Sequence, residues 1–244
     1  METLLVKTIT QALPMMARSN PGKLAAGGQE AIDAEIKRIQ QQTRRSRSQA
    51  YAHDTFARAA IPPRFADRRL ETFIAHCPEA AKALSVATEY ATGFEQSLEK
   101  GRSLIFVGTV GSGKTHLATG IAHEVMNQGY SALFSTVLGA VRTVKETYRK
   151  NSEKTESDAI MDLIRPDLLI LDEVGVQFGS DAEKLILFEI INGRYEHMKP
   201  TILLSNLNME GIKDYLGERI IDRLREGGGK QVVFNWDSYR RSVQ

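Results

Sequence analysis

The stretch SLIFVGTVGSGKTHLATGIA, residues 103–122, contains the pattern Gly108-x-x-x-x-Gly113-Lys114-Thr115. An apolar run precedes the glycines and a stretch suited to a helix follows them, as a phosphate-binding P-loop requires. Glycines let the backbone curl so that its N–H groups face an anion, and the helix adds the positive end of its dipole. The residues predicted to contact a nucleotide are Gly108, Gly111, Ser112, Gly113, Lys114, Thr115 and His116.

A second apolar run, LLILDEV at 168–174, ends in two carboxylates. Parallel sheets place their ligands at the carboxyl ends of the strands, so these side chains are expected beside the P-loop. Asp172 and the Thr115 hydroxyl are predicted to hold Mg²⁺, while Lys114 reaches the β- and γ-phosphates. Glu173 is predicted to polarise an attacking water, which indicates hydrolysis of a nucleoside triphosphate, with ATP the expected substrate.

Two further stretches hold candidates for sensing the γ-phosphate. Asn206 ends the apolar run TILLSN at 201–206, where it would either bond the phosphate or water, or only start a turn. Arg219 and Arg223 lie at i and i+4 in GERIIDRLRE, residues 217–226, and so share one helix face. That face is either simply solvated or supplies an arginine to a neighbouring subunit's γ-phosphate.

Apolar runs alternate with amphipathic stretches over the whole second half of the chain. This alternation predicts an α/β sandwich, a five-stranded parallel sheet with helices on both faces. The predicted strands are 103–107, 132–136, 168–171, 201–205 and 231–234, and the clearest helices are 79–100, 114–128 and 181–198.

The N-terminal quarter differs from the rest in composition. Residues 29–59 lack Pro and Gly, and Ile32, Ile36 and Ile39 fall at helical spacing with one narrow apolar stripe. We predict an N-terminal arm at 1–59 that docks on a partner, a connector and helix at 60–100, and a catalytic domain at 101–244. The basic cluster at 37–47 would contact DNA, an acidic protein surface or only water.

Composition excludes several classes of protein. Cys77 is the only cysteine, so neither an internal disulfide nor a cysteine-based zinc site is expected. No run of 18 apolar residues exists, which predicts no membrane-spanning helix and no membrane partner. Lys7, Thr8, Thr10 and Gln11 interrupt the mildly apolar start, which is unlike a signal peptide, and a cytoplasmic location is expected.

With these motifs assembled, the chain resembles the DnaC/IstB family of AAA+ ATPases, and within it the replicative helicase loaders. The matching stretches are GTVGSGKTHLA at 108–118, LLILDEVGVQ at 168–177, SNLNMEGIKDYLGERIIDRLRE at 205–226 and VVFNWDSYR at 232–240, with a weaker match at 61–65. NWDSYR is the most distinctive of these for the loaders.

The resemblance implies a domain that assembles with copies of itself on a hexameric DnaB-type helicase and helps place it on single-stranded DNA. The arm at 1–59 would grip the helicase, and Arg223 becomes a better candidate than Arg219 for the arginine acting in trans. Tyr148 matches an aromatic that loaders present to DNA, although it would otherwise be an ordinary surface tyrosine. About ten residues follow the last predicted strand, too few for the helical lid of a full AAA+ protein.

Three other functions remain open from the residues. An IstB-like ATPase that assists a DNA transposase would share the same core. A small-molecule kinase would need an acceptor pocket, whereas Asp172, Glu173 and Asn206 suit water as the acceptor. A binding module with a degenerate P-loop is disfavoured because Lys114 and Thr115 are both present.

Overall fold

The computed structural model describes residues 61–175 and 180–237, together with the helical residues 35, 36, 38, 39 and 43. By its internal contacts the chain separates into Met1–Ser46 and Arg47–Gln244, and the fold below belongs to the second unit. The predicted arm at 1–59 lies almost wholly outside the described residues. Its boundary, and the one at residue 100, therefore stay predictions.

Five parallel strands form one sheet in the order β2-β3-β4-β1-β5. This confirms the predicted five-stranded parallel sheet. Two of its strands have the predicted ends, while β1 begins and ends one residue later, β3 continues to Val174 and β5 begins at Lys230. The bounds are β1 Leu104–Gly108, β2 Ala132–Thr136, β3 Leu168–Val174, β4 Thr201–Ser205 and β5 Lys230–Phe234.

Helices cover both faces of this sheet, as the αβα prediction requires. Their bounds are α1 Pro78–Thr92, α2 Phe94–Glu99, α3 Lys114–Asn127, α4 Val137–Glu146, α5 Glu156–Ile164, α6 Asp181–Glu196, α7 Met209–Leu216 and α8 Glu218–Arg225. Alternate strand residues face opposite ways, so Leu104 and Phe106 pack with α1 and α3. Ile105 and Val107 pack with the helices α4 to α8 on the other face.

The predicted helix at 79–100 is two helices, because Gly93 caps the end of α1 before α2 begins. Cys77, with no disulfide role, is the N-cap of α1, and its sulfur accepts a hydrogen bond from the Ala80 N–H at 3.4 Å. Among the described residues, no helix is long and apolar enough to cross a membrane. Residues 235–237 are the last described after β5, so the expected lack of a helical lid stays a prediction.

A fully buried arginine, Arg194 of α6, joins the amino-terminal ends of β3 and β4. A buried guanidinium is stable only when its donors are satisfied, and here backbone carbonyls receive most of them. No sequence motif indicates a role for this residue. Because β3 carries Asp172 and β4 leads into Asn206, Arg194 helps fix the strands behind the site. The acceptors are the carbonyls of Leu163, Ile164, Pro166 and Pro200 and the Thr201 hydroxyl, at 2.5–3.0 Å.

Candidate functional site

The P-loop turns sharply between β1 and α3, and two of its glycines are sterically required. Gly108 has φ 135°, and a Cβ at this position would lie 2.0 Å from the Phe234 carbonyl oxygen. Gly113 has φ 96° and precedes α3, where a Cβ would lie 2.6 Å from the Phe73 ring. Among the residues that the structure describes, no side chain caps the first N–H groups of α3. Those donors are therefore available to an anion at the helix N-terminus.

Lys114, the first residue of α3, turns its side chain back under the loop. Its Nζ donates to the carbonyls of Gly108 and Thr109 at 2.8 and 2.7 Å. Burial lowers the pKa of Lys114 to about 8, although the nearby Asp172 carboxylate acts in the opposite direction. The ammonium is thus mostly charged at neutral pH but poorly hydrated. Phosphate oxygens in the loop would stabilise it.

Thr115 and Asp172 meet at the carboxyl edge of the sheet. The Thr115 hydroxyl donates to Asp172 Oδ2 at 2.9 Å, joining α3 to β3 across the intervening strand β4. Burial raises the pKa of Asp172, while the Thr115 bond, the Glu173 N–H and the Lys114 charge oppose that rise. Within 61–175 and 180–237 no cluster of three or more acidic, His or Cys side chains could hold a metal. One carboxylate beside one hydroxyl fits Mg²⁺, which in nucleotide sites takes few protein ligands.

Glu173 lies at an irregularity of β3. The pairing of β3 with β4 shifts between Leu171 and Val174, so one extra residue bulges from the strand. Glu173 has φ 63°, a conformation that costs a non-glycine residue about 1 kcal/mol or more. Its N–H donates to Asp172 Oδ1 at 2.7 Å, and the residue is exposed. Because of the bulge, Glu173 departs from the regular alternation of side chains between the two faces of the sheet.

Asn206 directly follows β4 and is exposed at the same edge of the sheet. The turn that leads into α7 is capped by Asn208, whose Oδ1 accepts from the Gly211 N–H at 2.9 Å. Asn206 is therefore not the residue that caps this helix. Its predicted contact with the γ-phosphate or water stays a prediction.

The two candidate arginines of α8 have different surroundings. Arg219 is exposed, whereas Arg223 is half-buried against α6. The Arg223 guanidinium carbon lies 5.3 Å from the centre of the Phe188 ring and 5.5 Å from that of Tyr195. Its Nη1 is buried without a hydrogen-bond partner in the described part of the chain. Stacking on these rings holds Arg223 by cation–π attraction within its own chain.

His116 and Tyr148 both make contacts that the sequence did not indicate. His116 Nε2 lies 2.9 Å from the Arg69 carbonyl oxygen and 3.1 Å from the Thr72 hydroxyl, so this nitrogen contacts the connector. Burial lowers the pKa of His116. Tyr148 follows the end of α4, is 59% exposed, and donates to Glu156 Oε1 at 2.6 Å. Nothing in these contacts tests their predicted roles toward nucleotide and DNA.

Trp236 and Thr109 are parts of the site that were not predicted. The Trp236 Nε1 donates to the Ser112 carbonyl at 3.0 Å, and the Thr109 hydroxyl donates to the Trp236 carbonyl at 2.9 Å. Trp236 belongs to the distinctive NWDSYR stretch, and that stretch follows β5, the strand beside β1. Adjacent parallel strands end at the same edge, so this placement was a signal that it touches the P-loop.

Known proteins with similar sequences include an ATP-binding family, as the geometry of the P-loop suggests. A family model described as IstB-like ATP binding protein matches residues 29–244. The chain belongs to the IstB-like ATP-binding family. It is 40% identical over 189 residues to a protein named replicative helicase loader DnaC from Escherichia coli K12. That match spans 78% of this chain and 76% of the relative. The predicted resemblance to the DnaC/IstB family is confirmed.

Solved structures show the same fold for this IstB-like chain. A crystal structure of the DnaC helicase loader matches with a TM-score of 0.62 at 21% identity, covering 71% of this chain and 99% of that one. AMPPCP-bound DnaA from Aquifex aeolicus matches with a TM-score of 0.60 at 26% identity, covering 72% of this chain and 53% of that one. These similarities confirm the predicted AAA+ α/β fold of the core.

Proposed function

We propose that this chain is an ATP-dependent loader that places a hexameric DnaB-type replicative helicase on single-stranded DNA. The observation that carries the proposal is the 40% identity, over three quarters of both chains, to proteins named replicative helicase loader. The Thr115–Asp172 hydrogen bond at 2.9 Å supports a nucleotide switch as the source of energy, because it unites the two halves of the predicted ATP site.

Each residue of the site has a proposed role in that switch. Lys114 and the first N–H groups of α3 bind the phosphates, and Thr115 with Asp172 holds Mg²⁺. Bound Mg²⁺ would offset the negative charge of the phosphates during hydrolysis. Glu173 orients and polarises a water, and Asn206 bonds that water or the γ-phosphate.

Three parts of the chain have proposed contacts with other molecules. Tyr148 offers an exposed ring on which a base of single-stranded DNA would stack. The 1–59 arm would hold the helicase, and copies of the chain would assemble on it. In that assembly, Arg223 or Arg219 of one subunit would contact the γ-phosphate held by its neighbour.

A helicase-loading assay tests the proposal directly. The full chain, ATP and a DnaB-type helicase from the same organism are mixed with closed single-stranded DNA circles, and circle-bound helicase is measured after gel filtration. We expect loading that requires both the chain and ATP. Absence of chain–helicase binding at micromolar concentrations would overturn the loader assignment.

One alternative is an IstB-like ATPase that assists a DNA transposase, and the family description, IstB-like ATP binding protein, fits it as well. The two functions share the ATP site and differ in the protein partner. A pull-down offering both a DnaB-type helicase and a transposase distinguishes them by which protein is retained. Phosphate release from ATP with no added small molecule would separately exclude a kinase.

A further inference from the structure

The residues that follow β5 attach to the P-loop at two separate points. On one side, the Thr109 N–H donates to the Phe234 carbonyl at 3.0 Å and the Thr109 hydroxyl to the Trp236 carbonyl at 2.9 Å. On the other, the Trp236 indole N–H donates to the Ser112 carbonyl at 3.0 Å. Trp236 is 8% exposed, and its ring centre lies 4.9 Å from that of Phe234. One buried residue therefore spans the loop from Thr109 to Ser112.

These bonds determine how the loop presents its donors. In a planar trans peptide, the carbonyl and the next N–H point in opposite directions. With the Ser112 carbonyl bonded to Trp236, the Gly113 N–H points away from the tryptophan. The Ser112 hydroxyl also donates to the Thr109 carbonyl at 2.6 Å, which closes the loop across its base. The orientation of the Ser112–Gly113 peptide thus depends on Trp236.

A buried indole needs an acceptor somewhere, and any core carbonyl would satisfy it. Here the acceptor is a P-loop carbonyl, and a second hydrogen bond runs in the reverse direction from the P-loop to the Trp236 carbonyl. Such a reciprocal attachment exceeds what burial of the ring requires. It links the position of the backbone after β5 to the shape of the loop.

We propose that Trp236 is a positioning residue of the nucleotide site, one that holds the Ser112–Gly113 peptide in the orientation that binds phosphate. The inference rests on the proposed ATP site and deepens it. Trp236 itself touches no phosphate in this scheme. It acts through the backbone of Ser112 and Thr109.

The test replaces the donor while keeping a large apolar ring. Trp236→Phe removes the indole N–H, and we expect the dissociation constant for MgADP and MgATP to rise about five- to tenfold, the equivalent of one lost hydrogen bond. Isothermal titration calorimetry on the full chain measures it, with thermal unfolding of the nucleotide-free chain recorded in parallel.

Tyr90→Phe is the matched control. It removes another buried aromatic donor, the Tyr90 hydroxyl, which donates to the Arg102 carbonyl at 2.8 Å. Arg102 precedes the first residue of β1, whereas the P-loop begins at the last residue of that strand. We expect nucleotide affinity within about twofold of the unsubstituted chain. If Trp236→Phe binds nucleotide as tightly as the unsubstituted chain, Trp236 has only a structural role. The same conclusion follows if Trp236→Phe and Tyr90→Phe weaken binding equally.

Thr109→Val tests the other half of the attachment and carries the test alone if Trp236→Phe does not fold. It should weaken nucleotide binding severalfold, and Thr109→Ser, which keeps the hydroxyl, should restore it. In the double variant the losses should be less than multiplicative, because the Thr109 hydroxyl bond acts on the Ser112–Gly113 peptide only through Trp236. Unchanged affinity in Thr109→Val would contradict the inference. If the unsubstituted chain binds no nucleotide, the proposed ATP site itself is wrong. If the unsubstituted chain and the variants all bind nucleotide equally well, only the role of Trp236 is wrong.

Discussion

The P-loop and helix α8 both carry residues expected to act on ATP, but the chain supports them differently. Around the P-loop the contacts lie within one subunit: Lys114 bonds the loop carbonyl of Gly108, and Thr115 bonds Asp172. On α8, Arg219 is exposed and Arg223 is stacked on Phe188 and Tyr195.

This difference separates binding from sensing. The nucleotide-binding side is assembled by contacts within a single chain, so its variants should act on the isolated protein. A trans arginine has its target in another subunit, so its variants should act only in an assembly.

Lys114→Ala should abolish nucleotide binding by the isolated chain. The charged amine supplies the strongest phosphate contact in the loop, and its loss should weaken binding by more than about a hundredfold. Calorimetric titration with MgATP measures this, with the exposed Lys82→Ala as control. Retained tight binding would remove the P-loop from the proposed function.

Arg223→Ala should leave binding by the isolated chain unchanged and reduce turnover in the assembly on helicase and DNA. Removal of an arginine acting in trans costs about a thousandfold in hydrolysis. Arg219→Ala is the matched variant on the same face of α8. Phosphate release from the assembled complex decides between them. If only Arg219→Ala lowers turnover, Arg219 is the arginine that acts in trans, and Arg223 serves to join α8 to α6. If neither does, neither Arg219 nor Arg223 acts in trans.

Glu173→Gln should bind ATP normally and hydrolyse it about a hundredfold more slowly, because the amide cannot polarise water as the carboxylate does. Binding and phosphate release are measured on the same preparation. Glu99→Gln, an exposed carboxylate of α2, is the control and should have normal turnover. Normal turnover in Glu173→Gln would assign the base to another residue.

The pH dependence of nucleotide affinity should report the buried amine. Because the pKa of Lys114 is lowered to about 8, the side chain is charged below that pH and neutral above it. Phosphate binding favours the charged form, so binding at higher pH must take up a proton. The dissociation constant should rise about tenfold between pH 7 and pH 9. Lys114→Arg, which stays charged, should have a constant affinity over this range. A pH-independent dissociation constant for the unsubstituted chain would contradict the assigned environment of Lys114.

Local patterns predicted most of the fold because its elements are strongly marked. The strands are apolar runs bounded by turn residues, and the P-loop needs a defined order of strand, glycines and helix. The break at Gly93 was missed because the apolar spacing continues across it. The bulge at Glu173 was missed because it arises from pairing with β4, which no local pattern encodes.

The site was predictable where its parts are adjacent in the chain and not where they come from afar. Gly108 to Thr115 are one motif, and Asp172 follows a recognisable strand. The Trp236–Ser112 bond joins residues 124 positions apart, and the Arg223 stack joins α8 to α6. Such contacts depend on side-chain packing, which sequence spacing does not describe.

The sequence by itself determined the parallel sheet, the P-loop and the acidic end of β3, because alternation and glycine placement are imposed by local backbone geometry. Only the tertiary structure decided that Asp172 lies 2.9 Å from Thr115, that Arg194 fastens the opposite ends of β3 and β4, and that Trp236 braces the loop. Those arrangements follow from the order of strands in the sheet and from burial, which bring distant residues together and require each buried donor to find an acceptor.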